Sequence, residues 1–199
     1  MLIYVIIFLL LILLIWGILI YVRKSLWDTV HRNLLDLEDA YGGHVLRRSF
    51  LNRPYYHGQI KGVNITINFS SEKREERVTY IDVSLTIKTK INLTLSTCEW
   101  LQAHGSESQR EFEEVQNSSG KTFLFKISNP KWLANPKHKA VFDRLIDEME
   151  DLAYLFVGKT GLICEWQTKE VANHTRFEHL DPRIKLLLDF GEQLKNGKK

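Results

Sequence analysis

Seven histidines and two cysteines are the residues of this chain best suited to chemistry at neutral pH: His31, His44, His57, His104, His138, His174 and His179, with Cys98 and Cys164. Their spacing excludes the common metal motifs. A zinc site calls for close ligands, as in C-x-x-C or H-E-x-x-H, and neither pattern occurs. His174 and His179 would fall on different faces of a helix. Nucleophilic catalysis has no better footing. G-x-S-x-G is absent, and Cys98-Glu99-Trp100 brings no adjacent base to its thiol, so a Cys–His pair would have to be assembled in space. Gly158-Lys159-Thr160-Gly161 contains the letters GKT without the rest of the phosphate loop, and reads as a hairpin turn. The residues therefore predict no catalytic, cofactor-binding or metal-ligating side chain, and a protein that is not an enzyme.

The charged segments are also open to simple readings. Glu72-Lys73-Arg74-Glu75-Glu76-Arg77 reads as a hairpin tip between two strands, or else as a docking surface for a partner. Arg47, Arg48, Arg53 and Lys61 read as solvated strand positions. The alternative puts them on anionic headgroups, each worth about 1 kcal/mol if held close to the surface.

The element that positions everything else is the N-terminal run Met1–Val22, which has no charge, no proline and one glycine, Gly17. Leu2–Val22 would span roughly 31 Å as a helix, against about 30 Å of hydrocarbon. A cleavable signal peptide would carry a basic n-region, a shorter apolar stretch and a small-residue cleavage site, none of which is present. A buried core helix is the bland alternative, but few domains of this size could cover a helix apolar on every side. The run is read as an uncleaved signal-anchor crossing the lipid bilayer once.

Orientation follows from the flanking charges. Arg23, Lys24 and Arg32 follow the span and no basic side chain precedes it, which predicts a cytoplasmic domain on the cell (inner) membrane. Tyr4 at one end, and Tyr21, Arg23, Lys24 and Trp27 at the other, are the predicted membrane-interface anchors. Two lone cysteines do not make a disulfide framework and fit a reducing compartment. Five N-x-[ST] sequons, at Asn64, Asn68, Asn92, Asn117 and Asn173, would be acceptors only in a lumenal eukaryotic domain. The first three lie in strand-like segments, where Asn and Thr fill an exposed face.

Beyond the span the chain has the length of one domain, without repeats or a Pro/Gly-rich linker. With 27 basic and 24 acidic residues the net charge is +3, too balanced for a nucleic-acid surface. The expected organisation is an anchor over 1–22, a membrane-proximal helix over 23–43 and a soluble domain over 44–199. Leu26, Val30, Leu34, Leu37 and Tyr41 make one helical stripe, ended by Gly42-Gly43, into which the anchor could run directly. Tyr55–Ser70 reads as a hairpin about Lys61-Gly62. Val78–Thr89 reads as a strand whose apolar parity switches after Tyr80, which suggests a β-bulge. Alternation continues through Ile91, Leu93 and Leu95, and strands follow at Glu111–Gln116 and Lys121–Ser128, after a polar loop at 104–111. Asn135-Pro136 caps a helix, Tyr154–Val157 and Leu162–Trp166 flank a hairpin, and Asp181-Pro182 starts a last helix. Antiparallel strands packed by helices make an α+β domain.

The segments Tyr56-His57-Gly58-Gln59-Ile60-Lys61-Gly62-Val63-Asn64-Ile65, Val78-Thr79-Tyr80-Ile81-Asp82-Val83 and Phe123-Leu124-Phe125-Lys126-Ile127 stand in this order after a helix. The order resembles a group of uncharacterised prokaryotic membrane-anchored α+β proteins. The resemblance implies the architecture and a prokaryotic origin, and no activity.

With location clear and site chemistry missing, the sequence predicts a single-pass membrane-anchored interaction module or accessory subunit of a membrane assembly, with membrane-protein partners. No cofactor and no small-molecule ligand is inferred. Two alternatives stay open: a membrane-associated enzyme on a lipidic or peptide substrate, and a lipid-binding domain with an apolar cavity opening toward the bilayer.

Overall fold

The computed structural model describes residues 2–49, 52–73, 77–104 and 112–196. Residues 105–111 of the polar interval and 74–76 of the mixed-charge run lie outside them. The fold is α+β: one long N-terminal helix, a nine-stranded antiparallel sheet and further helices.

Helix α1 (Leu2–Tyr41) is a single rod of 40 residues, about 60 Å long. Its two halves have opposite surroundings. The apolar window that could cross a membrane is 0% buried, whereas Trp27, Val30, Leu34 and Leu37 are core residues. Membrane-proximal helix and domain thus share one hydrophobic core. Gly42 and Gly43 end the rod with φ of +73° and +94°, and the Gly42 N–H donates back to the Glu38 carbonyl. The chain can then reverse into β1 (His44–Leu46), beside β2 (Tyr55–Ile60).

The sheet order is β1-β2-β3-β4-β9-β8-β5-β7-β6, with β3 Val63–Lys73, β4 Arg77–Leu85, β5 Leu93–Ser96, β6 Glu113–Gln116, β7 Thr122–Ile127, β8 Leu152–Val157 and β9 Leu162–Thr168. The edges, β1 and β6, are only three and four residues long, which limits edge-to-edge pairing. Strand alternation divides two faces. The inner one (Ile65, Ile67, Ile81, Val83, Leu155, Cys164, Trp166) lies under α1, α3 (Pro136–Glu148) and α5 (Phe177–Asn196). On the outer one, α2 (Cys98–His104) places Trp100 against Val78, Tyr80 and Ala153, and among the described residues no other helix covers that face.

Two expectations are corrected. The parity switch in Val78–Leu85 is not a bulge: β4 pairs in unbroken register with both neighbours. Val78 and Tyr80 are apolar because α2 covers them from the outer side. The irregularity lies instead between Leu152 and Tyr154 in β8, where Ala153 is the extra residue. The last helix starts at Phe177, so Pro182 lies inside it. Phe177 packs its ring 6.2 Å from Tyr41 and Leu180 is fully buried, and this packing holds a turn that local preference would have left out. The Asn135 cap is as expected, its side chain accepting from the Lys137 N–H. A short helix, α4 (Val171–His174), ties the sheet to α1: Asn33 Nδ2 donates to the Ala172 carbonyl at 2.6 Å and to Thr175 Oγ1 at 3.0 Å.

Candidate functional site

The expected interface anchors separate into two groups. Tyr4, Tyr21, Arg23 and Lys24 are exposed along α1, Tyr4 and Tyr21 by 75% and 72%. Trp27 is corrected: it is 5% exposed, with its ring 5.4 Å from Phe69, and is a core residue rather than a headgroup anchor. Position 27 continues the stripe that faces the sheet, so the domain, not the bilayer, claims its indole.

The basic residues of the following segment are mostly engaged in the fold. Arg47 is ion-paired to Asp28, and this hydrogen bond holds the Asp28 carboxyl below the usual carboxylate range. Arg53 donates to the Phe69 carbonyl and to Ser71 Oγ, both at 2.7 Å, with its guanidinium 5.4 Å over the Trp27 ring. Beside them a cavity of about 310 Å³ is lined by Arg48, Asn52, Arg53, Tyr55, Thr66 and Asn68, without a carboxylate. A second groove, of about 370 Å³, lies between α1 and the paired residues Ser71 of β3 and Thr79 of β4. Leu19, Val22, Arg23 and Leu26 form one wall, and Trp27, Ser71 and Thr79 close it.

Elsewhere, Asp151 is the hub of a polar cluster. Its Oδ2 accepts from Arg183 at 2.8 Å, and His174 Nδ1 stands 3.4 Å from the same oxygen. The cavity there, about 350 Å³, is lined by Asp147, Glu148, Glu150, Asp151, His174 and Arg183, with no hydroxyl or thiol among them to be activated. A larger cleft of about 480 Å³ on the other side of Asp151 holds Thr97, Lys121 and Thr168. Burial lowers the Lys121 pKa, and its ammonium donates to the carbonyls of Glu150 and Leu152, which makes it a clamp between strands. Gly158–Gly161 is a hairpin tip closed by the Gly158 N–H donating to the Gly161 carbonyl.

A carboxylate pair that sequence reading missed sits on the outer face. Asp82 and Glu165 are directly opposite across β4 and β9. Burial pushes Asp82 up to about 7, with the Glu165 charge adding to it, and burial raises Glu165 as well. Ser70 donates to Asp82 and the Trp100 indole to Glu165, each at 3.0 Å. No motif could have revealed this, because the pair is made by register alone. A carboxyl raised in the fold favours the protonated folded state, so its contribution is complete below the unfolded value of 3.8 and lost as pH rises through about 7. After solvent screening, about 1–2 kcal/mol is expected. Urea titrations of the full chain in detergent should show Asp82→Asn gaining on wild type between pH 5 and 8 (about this interval, from the raised value), and parallel curves would refute the coupling.

Cys164 is fully buried and its thiol is pushed well up by burial, whereas Cys98 is half-buried. A thiol reagent is expected to label one cysteine rapidly in the native protein and the second only after denaturation. Two fast thiols would contradict the packing of β9.

No family model and no curated protein matches the chain. Among solved structures, the crystal structure of the mycobacterial trehalose monomycolate transport factor A aligns with a TM-score of 0.49 at 12% identity, covering 83% of this chain and 94% of that one.

Proposed function

We propose that this chain is a single-pass membrane-anchored interaction module, an accessory subunit that presents its domain to other proteins of a cytoplasmic membrane surface. The observation that supports it is the continuity of α1: bare through the anchor and core from Trp27 onward, without a hinge between. A domain on a flexible tether samples all orientations, whereas one built on the anchor helix keeps a fixed height and facing. Confinement at the membrane also raises its effective concentration toward partners there. The basic flank of Arg23 and Lys24 supports the cytoplasmic side.

The surface this arrangement offers is the open outer face, where Phe156 and Ile163 lie side by side across β8 and β9, 36% and 41% exposed. The partner that fits is a second membrane protein, because the tether restricts the face to whatever reaches the same surface. Mild-detergent extraction of native membranes should recover a stoichiometric membrane-protein partner with wild type and lose it with Phe156→Asp/Ile163→Asp. Clean monomer from native membranes would overturn the reading.

A further inference from the structure

The stripe of α1 that faces the sheet does not stop where the sheet stops. Val30, Leu34 and Leu37 are buried, and the same face continues downward in adjacent pairs one turn apart, Trp27 with Leu26 and Arg23 with Val22, to Leu19. Along the upper part the sheet fills the space beside the helix. Along the lower part Ser71 of β3 and Thr79 of β4 face the helix across the groove of about 370 Å³. That volume is within the range of roughly 300–1,000 Å³ typical of ligand sites. Its floor belongs to the apolar window of α1, with Leu19 and Val22 still 62% and 59% exposed. A groove floored by the membrane span opens into the acyl chains that surround that span.

The rim has a different chemistry. Arg23 stands one residue beyond the apolar run, and no ion-pair partner of it is present among the described residues. Arg53 donates to Ser71 Oγ, and Ser71 and Thr79 hydroxyls stand 3.4 Å apart. Of the two hydroxyl protons, one serves the contact between them and the other is left for an acceptor in the groove. A cation and a hydroxyl donor above an apolar trough match a phosphodiester headgroup above an acyl chain.

We infer that this groove holds one anionic phospholipid of the leaflet from which α1 emerges, its acyl chain along Leu19 and Val22 and its phosphate at Arg23 and the Ser71–Thr79 hydroxyls. The inference rests on the anchor reading of α1 but not on any protein partner, so the two can fail separately.

The test uses the purified full-length chain reconstituted in vesicles of phosphatidylcholine with and without phosphatidylglycerol, then released for native mass spectrometry. One retained phospholipid per chain is expected, with phosphatidylglycerol favoured about fivefold, the discrimination a single surface cation supplies. Arg23→Gln, at an exposed helix position, should abolish the preference while retention persists. Thr79→Phe should fill the groove and abolish retention. Its folding is checked by circular dichroism, and Leu26→Phe fills the same groove from the exposed helix side should Thr79→Phe misfold. No retained lipid, retention unchanged by either filling variant, or a dimer in place of a lipid adduct would overturn the inference.

Discussion

Gly43→Ala is expected to destabilise the domain by about 2–5 kcal/mol, the sum of left-handed backbone strain of about 1–2 kcal/mol and an overpacking cost of about 1–3 kcal/mol. At φ of +94°, a Cβ on Gly43 would come within 2.7 Å of both the Gly58 Cα and the His57 carbonyl oxygen. These are backbone atoms of β2, so no side chain can turn aside. Gly42→Ala is the control: it has φ of +73° and nothing within 4 Å of an added Cβ, so only the strain applies. The difference between the two isolates the contact of the helix end with the sheet. Tyr56 records the same contact, because its hydroxyl donates to the Gly42 carbonyl at 2.7 Å. Chemical denaturation of the full chain in detergent, followed by circular dichroism, measures both. Equal losses would mean that the junction is not packed as described.

Trp166→Ala should cost about 3–5 kcal/mol, the range for removing a buried aromatic side chain. Trp166 is fully buried on the inner face of β9, and the Arg183 guanidinium stands 5.2 Å over its ring while donating to Asp151. Removing the indole opens a cavity and leaves that guanidinium without its stacking surface. Trp166→Phe should cost well under half as much. The indole N–H finds no acceptor among the described residues, so phenylalanine gives up volume but no hydrogen bond. If the phenylalanine variant were as unstable as the alanine one, a polar contact of the indole would have to be assigned.

What the chain says locally it says clearly. The uncharged run to Val22, the stripe from Leu26 to Tyr41, the Lys61-Gly62 and Gly158–Gly161 turns and the Asn135 cap are each set by residues within a few positions of one another. Periodicity and capping suffice for such features, because the forces that form them act between neighbours. The start of α5 shows the limit. Pro182 is a helix-start signal by its own chemistry, and the turn before it forms because Leu180 enters a core contributed by distant elements. Trp27 shows the same limit. As one more aromatic beyond an apolar run it reads as an interface residue, and only Phe69 of β3 and Arg53 from the segment before β2, packed against it, make it core.

The sequence alone determined that one helix is long and apolar enough to cross a bilayer, that an α+β domain follows it, and that the familiar catalytic and metal motifs are missing. Tertiary structure decided that the apolar run and the domain share one helix without a hinge, that Asp82 and Glu165 face each other, and that a groove runs from the sheet onto the apolar half of α1. The reason is physical. These three depend on register and on the path of the chain through space, which join residues tens of positions apart, and neither leaves a periodic trace in the residues it brings together.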